Sequence, residues 1–503
     1  MKKIDDIELL RLNKLQRFFY KLKCFFVAIP FAIWNFIKSI GKFFKKLGIN
    51  IYIFFRDLVR TFIRGDYRTK LSYLIMGFGS FARGQIGRGI LFALTEVVFI
   101  IYMITTGGYY LRKFNSLGTV QEYNADHILV GNSDNSFKIL LYGILTIFFL
   151  VAFIYTWYLN VKQNKLNDEL ELQDKKLAST KDDLRALVDQ GFYKTVLSLP
   201  VLGIVFFTVM PIIFMILVAF TNYSGAADGQ TTGLFGWVGF ESFNQVLNWS
   251  NSSGTSYSAT FGEILTWTLI WAFFATFTNY FLGMMVAILI NKKGIKYKKL
   301  WRTILVISIA VPQFISLLYV KTLFDIDGPI NTVIKLFGAQ PVHFLDGQAK
   351  PLTARLTVIL INIWIGIPYL MLVVTGILMN IPADLYESAN IDGANVWQQY
   401  TKITLPYMLF VTGPYLLTSF TGNMNNFNVI YLLTGGAPQP LEMVSSKAGQ
   451  TDLLITWLFN LAISGSDYYL GAVIGILVFI VVAFISLVVY NIIPSVKNEE
   501  DFQ

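Results

Sequence analysis

The sequence predicts an all-α polytopic membrane protein with about eight transmembrane helices and amphipathic helices in its N-terminal region. Three observations predict this. Of 503 residues, 54% are hydrophobic and only 14% are charged, whereas a soluble domain carries about 25% charged residues. Aromatic residues make up 16%, which excludes a disordered chain, since such chains are charge-rich and poor in aromatics. The net charge of +10 is confined to one end: residues 1–70 hold 16 Lys/Arg and 5 Asp/Glu, the rest 25 and 26. A basic surface throughout would suggest a nucleic-acid binder. A basic head on a neutral, apolar body instead places the N-terminus on the cytoplasmic side of a membrane, with no nucleic-acid partner.

The first twenty residues are too polar for the apolar core of a cleavable signal peptide, so an uncleaved span is expected to direct insertion. Residues 25–37 and 49–63 are apolar but short, and Lys38, Lys42, Lys45, Lys46, Arg56, Arg60 and Arg64 bracket them. They read as interfacial amphipathic helices, with a membrane hairpin as the alternative. Crossing the hydrocarbon core takes about 20 apolar residues. Eight segments have that length: 89–106, 139–160, 197–220, 264–290, 303–324, 356–379, 407–433 and 470–493.

Charge in the connections orients them. Loop 161–196 carries seven Lys/Arg (Lys162, Lys165, Lys175, Lys176, Lys181, Arg185, Lys194) and belongs inside; residues 221–262 carry none and belong outside. The basic turn from Asn291 to Arg302 returns inside. Alternation then puts 325–355 and 434–469 outside, and 380–406 inside with both termini. Residues 162–190 mix seven acids with six bases and space Leu170, Leu177 and Leu184 by seven, which reads as a solvated helical stalk or a docking helix.

Chemistry-bearing motifs are few. One cysteine, Cys24, excludes an internal disulfide framework, and His127 and His343 have no ligand partner nearby in sequence. No metal site is expected. Gly77-Phe-Gly79-Ser-Phe-Ala82 matches a loose dinucleotide fingerprint, but no strand–helix unit surrounds it, and Arg83 and Arg88 point to a membrane-surface loop. There is no G-x(4)-G-K-[ST], H-E-x-x-H or soluble G-x-S-x-G elbow. Catalytic residues are therefore not expected. Glu96 is the one acid well inside a span, where it reads as an interhelical bond rather than a proton path.

The later spans instead carry uncharged hydrogen-bonding groups: Gln313, Asn362, Tyr369, Asn423, Asn425, Asn426 and Asn428. In lipid each costs several kcal/mol unless it faces protein or water. Asn423, Asn426 and Ile430 are spaced i, i+3, i+7, as on one helix face. Such amides serve either as glue between helices or as the wall of a hydrated path for a neutral, hydroxyl-rich solute such as a sugar. Pro312, Pro368 and Pro414 lie in or beside these spans and are expected to kink them. The inside loop 380–406 is long enough to need its own structure. It reads as a short helix, a Gly-permitted turn, a second amphipathic piece, and Pro406 opening the next span.

That loop carries Glu387-x-Ala389-x-x-Asp392-Gly393-Ala394-x(8)-Ile403-x-Leu405-Pro406. The pattern resembles the EAA loop of membrane subunits of bacterial ATP-binding-cassette (ABC) importers, with Ser388 where the family often has Ala. Asn423 to Pro438, Asn362 to Tyr369, and Thr451-Asp452-Leu453-Leu454 are similar to the larger, MalF-like permease subunit of maltose/maltodextrin importers. The resemblance covers at least 261–493.

It implies a type I (MetI-like) permease core of six spans over 197–503. Before the core come a basic region at 1–84 and two spans with a charged helix at 85–196. It further implies a coupling helix in which Tyr386, Glu387, Ala389, Asp392, Gly393 and Ala394 meet a cytoplasmic ATPase. Residues matching the family's sugar contacts are Asn362, Gly366, Tyr369, Asn423 and Asn426, with Ile365 replacing a similar apolar residue and Gln313 at a further contact position. Ile309, Gln313 and Gly422 depart from its Tyr, Ser and Phe. The implied partners are a second homologous permease subunit, two ATPase subunits that bind ATP and magnesium, an extracellular sugar-binding lipoprotein, membrane lipid and an oligosaccharide substrate. This chain itself would bind no cofactor. The implied location is the bacterial cytoplasmic membrane. An ion-coupled sugar transporter is the rival reading, disfavoured by the scarcity of buried acids.

Overall fold

The computed structural model describes residues 38–39, 41–42, 45–120, 133–225, 234–248, 257–292 and 294–492. The stretch 25–37, Cys24 and His127 lie outside the described residues. The described chain is helical apart from its loops and one isolated bridge, Thr221 with Trp237. Among the described residues, seven helices are long and apolar enough to cross a membrane, and an eighth candidate is a bent pair. The seven are Ile86–Lys113, Ser136–Glu171, Phe192–Val218, Tyr257–Asn291, Pro351–Leu378, Val396–Met424 and Tyr468–Val488.

Two expected spans differ from a simple rod. The segment 303–324 is two helices, Lys298–Ala310 and Gln313–Leu323, meeting at 94°. Pro312 has no N–H to donate and disfavours helical backbone in the residue before it. Val311 is accordingly extended, at φ −80°, ψ 124°. The segment 407–433 stops at Met424, and a separate helix, Phe427–Leu433, follows after Asn425 and Asn426. Asn423, Asn426 and Ile430 therefore do not share one helix face. Pro368 and Pro414, by contrast, sit inside continuous helices.

The chain forms two compact units, Met1–Tyr109 with Leu145–Gly203 and Tyr110–Ile144 with Ile204–Gln503. In the first unit, a helix over 45–64 leads through the short helices Tyr67–Leu71 and Phe78–Phe81 into Ile86–Tyr102. The short helices pack on one face of the Ser136–Glu171 helix. Asn160 donates to the Ser72 carbonyl (2.8 Å) and accepts from the Gly77 N–H (3.1 Å). Asn164 donates to the Ser72 hydroxyl (2.9 Å), and Asn167 to Gln85 (2.8 Å). The glycines that imitate a dinucleotide fingerprint serve this packing. Gly77 has φ +82°, and a Cβ there would lie 2.3 Å from the Gly89 carbonyl oxygen. Glu96 accepts from the Met76 backbone N–H at 2.8 Å, so it satisfies a turn within the chain.

Arg83 lies in the turn before Ile86–Tyr102, yet does not reach outward. Its side chain is fully buried and pairs with Asp66 (2.9 Å), Asp168 and Glu171 (3.2 Å). It also donates to Asn164 (3.0 Å) and the Gly79 carbonyl (3.1 Å). Arg88 is half-buried and pairs with Asp183 (2.6 Å). The expected solvated stalk is thus interrupted at 172–179 and carries docked helices on one face, because asparagines and acids spaced by three and four line up there.

In the second unit, Trp267, Trp271, Val358, Val429, Ile430 and Leu453 centre one apolar core, and Tyr280, Met284, Met371 and Met408 another. The long loop after Leu433 is fastened to the first core. Trp267 donates to the Thr451 carbonyl (3.1 Å), and Trp457 to the Ser446 carbonyl (2.7 Å). Arg355 stacks 4.9 Å over the Trp267 ring and donates to the Gln450 carbonyl (2.8 Å). His343 pairs with Asp346 (2.6 Å).

Candidate functional site

Where the helix stops at Met424, its last backbone carbonyls lose their helical partners and need others. The Asn423 carbonyl accepts from the Trp271 indole (3.1 Å). Asn426 caps the next helix, its side chain accepting from the Val429 N–H at 3.5 Å. The side chains of Asn423 and Asn426 face each other (3.4 Å), and Asn423 also donates to Thr276 (3.0 Å). Thr276 lies in a wide π-turn, Phe274–Thr278, a distortion that often marks functional sites.

One turn further, Asn279 lies against Gly366: a Cβ on Gly366 would sit 2.4 Å from the Asn279 amide nitrogen. Asn279 donates to the Ala275 carbonyl (2.9 Å), and its buried amide oxygen has no hydrogen-bond partner. Gly366, Asn279, Thr276, Asn423 and Asn426 thus form a polar seam crossing three helices. None of these groups ionises. Asn362 is buried one turn before Gly366, and Ile365 packs against the first core. Tyr369 is exposed on this chain, one turn after Gly366.

Gln313 is exposed at the first residue after the 94° bend, and among the described residues no hydrogen bond joins it to the seam. Thr276 and Asn279 were not among the sequence-derived candidates. Both sit in an aromatic-rich run, Trp271 to Phe281, and only the close approach of Gly366 and the end of the helix at Met424 reveal them.

The 380–406 loop forms as its residue pattern predicts. The Ala383–Ile391 helix ends in a left-handed turn at Gly393, φ +73°. The Gly393 N–H donates to the Asn390 carbonyl (3.1 Å) and the Ala394 N–H to the Ala389 carbonyl (2.8 Å), the paired bonds of a Schellman ending. Asn395 caps the Val396–Gln399 helix. Tyr386 bonds to Thr404 (2.8 Å), tying the first helix to the start of the following span. Glu387, Asp392 and Gly393 are exposed, as are the apolar Ile391, Val396 and Trp397. Ala389 and Ala394 are half-buried beneath them.

A further acid escaped the sequence reading of burial. Asp452 is fully buried, accepts from the Gly449 N–H (2.8 Å) and Asn460 (3.3 Å), and has one oxygen without a partner. Burial pushes its carboxyl up to about 6, against hydrogen bonds that lower it.

Comparison with known proteins gives these arrangements a family. Residues 279–497 match the family described as binding-protein-dependent transport system inner membrane component. The galactooligosaccharides transport system permease protein GanP of Bacillus subtilis is 35% identical over 73% of this chain and 85% of its own. The maltodextrin transport system permease protein MalC of Streptococcus pneumoniae is 30% identical over 86% of this chain and 97% of its own. A crystal structure of a bacterial ABC transporter involved in alginate import aligns with a TM-score of 0.47 at 22% identity, over 61% of this chain and 96% of that one. The chain therefore belongs to the inner-membrane components of binding-protein-dependent transport systems, as a MalF-like sugar permease of the ABC importers: a multi-pass transport subunit and not an enzyme.

Proposed function

We propose that this permease carries an uncharged oligosaccharide of the maltodextrin class inward by alternating access. The observation that carries the reading is the seam of Gly366, Asn279, Thr276, Asn423 and Asn426. It offers donors and acceptors without charge, which suits a neutral polyhydroxyl substrate. Tyr369 presents an aromatic face of the kind on which sugar rings pack. Asn362 and Ile365 line the same helix, and Gln313 meets the sugar from the bent span. Membership among ABC importer permeases speaks against the ion-coupled rival; in this reading partner ATPases that bind ATP and magnesium power transport.

In this reading the exposed EAA loop, with Glu387 at its surface, seats in an ATPase subunit. Closure of two such subunits on ATP reorients the spans so that the seam opens outward. Hydrolysis returns it inward. A second homologous permease completes the pathway, and a lipid-anchored extracellular binding protein delivers the sugar. Both termini lie in the cytoplasm, as the basic first 70 residues favour.

The higher identity to a galactooligosaccharide permease supports a second substrate reading. Uptake of labelled oligosaccharides in cells lacking only this chain, across lengths and linkages, decides between them. Restoration of maltodextrin uptake by the chain supports the maltodextrin reading; restoration of galactooligosaccharide uptake alone replaces it.

A further inference from the structure

The first unit contains a cavity of about 1260 Å3 that the transport reading does not use. Its walls are helix faces. The 45–64 helix contributes Ile53, Phe54 and Leu58, spaced by one, four and five along one stripe. The Ile86–Tyr102 helix adds Leu91, and Thr180–Val188 adds Leu184 and Leu187. The fourth wall is the Ser136–Glu171 helix, on the face opposite the one that grips Arg83. This face carries Tyr158, Lys162, Lys165 and Glu169.

The cavity's lining is mainly apolar, and most of its charged groups outside ion pairs are lysines. Lys162, Lys165 and Lys194 all line it, and among the described residues none of the three makes an ion pair; Lys194 lies over the ring of its neighbour Tyr193. Of the acids beside them, Asp183 is held by Arg88 (2.6 Å) and Asp57 by Arg56 (3.2 Å). Three unpaired lysines therefore face one unpaired carboxylate, Glu169. An apolar void with lysines in its lining matches an amphiphile with an anionic head, since Lys binds phosphate as a point charge. Basic pockets between helices on the cytoplasmic side of a membrane take anionic head groups.

We propose that this cavity binds one anionic phospholipid, its phosphate at Lys162, Lys165 and Lys194 and its acyl chains against the apolar walls. The inference rests on the cytoplasmic placement of loop 161–196, which puts the lysines at the inner leaflet. Charge selects this occupant over the chain's own first 37 residues. That segment holds seven Lys/Arg against three Asp/Glu, so like charge opposes it at the lysines.

The test is native mass spectrometry of the full chain, released from nanodiscs of phosphatidylcholine doped with phosphatidylglycerol. The wild type should retain phosphatidylglycerol in preference to phosphatidylcholine. The triple variant Lys162→Ala/Lys165→Ala/Lys194→Ala should bind it about 100-fold more weakly, each lysine near an anionic surface being worth roughly fivefold. The corresponding triple Arg variant should retain it. The triple variant Leu91→Trp/Leu184→Trp/Leu187→Trp, which narrows the apolar part of the void and spares every lysine, should also weaken binding and keeps the test decisive if the triple Ala variant does not fold.

Equal retention of the two lipids by the wild type overturns the proposal, as does undiminished binding in the Ala and Trp variants. A tenfold gain in phosphatidylglycerol binding on removing residues 1–37 assigns the cavity to that segment and overturns it too. None of these readouts depends on which sugar is transported.

Discussion

Gly393 offers a perturbation whose size follows from geometry alone. At φ +73° it occupies the left-handed region, and a Cβ there would meet nothing within 4 Å. The penalty for any other residue in this chain is therefore one of backbone conformation, about 1–2 kcal/mol for an ordinary L-residue. Asn tolerates this conformation and is the usual second choice at such helix endings, whereas a β-branched residue there is a genuine outlier. A penalty of that size shifts the turn's equilibrium by roughly 5–30-fold.

Because the turn sets the path from Ala383–Ile391 into Val396–Gln399, loss of the paired bonds at Ala389 and Asn390 misplaces Glu387 relative to the ATPase. The assay is sugar-stimulated ATP hydrolysis by the reconstituted complex, with assembly checked by size-exclusion chromatography. Coupling should fall in the order Gly, Asn, Ala, Val. A steric role at the ATPase surface gives a different order, with Asn below Ala because its side chain is larger. Finding Asn below Ala, or Val equal to wild type, would refute the backbone argument.

Other substitutions probe the rest of the chain. Arg83→Met leaves Asp66, Asp168 and Glu171 facing one another and should cost about 3 kcal/mol; an unchanged thermal midpoint of the purified chain excludes that role for Arg83. Asp452 has its folded-state carboxyl raised from 3.8 to about 6. Its contribution is thus fully present below about pH 3.8 and lost as pH rises through about 6, a difference of about 3 kcal/mol across that window. Asp452→Asn should flatten the dependence of the thermal midpoint between pH 4 and 8, and a curve that stays as steep assigns the effect to another group. Asn423→Ala and Tyr369→Ala should each raise the half-saturating sugar concentration about 3–10-fold, the weight of one neutral hydrogen bond or ring contact. Unchanged uptake kinetics in both would place the pathway elsewhere.

Much of this protein was legible one residue at a time. The spans were, because about 20 apolar residues in lipid have few alternatives to a helix. The loop from Ala383 to Thr404 was too, since helix ends, Gly turns and caps are local rules that neighbouring residues satisfy among themselves. The break at 311–312 was only half legible. Pro312 announced a disturbance, but its 94° size depends on what the two halves pack against. The end of the helix at Met424 was missed because Asn425 and Asn426 cost an amphipathic run little, and the carbonyl left behind finds its donor in Trp271, 152 positions earlier.

The sequence by itself determined that this chain is a helical membrane protein, and its loop charges favour one orientation, because hydrophobicity and charge act on each segment independently of the others. Its motifs pointed to the permease family. Only the tertiary structure decided that Arg83 is buried among three acids, that Thr276 and Asn279 join the asparagine seam, and that Lys162, Lys165 and Lys194 line one cavity. Those facts depend on which helix faces meet across long stretches of chain, and residue spacing within a helix fixes a face but never its partner.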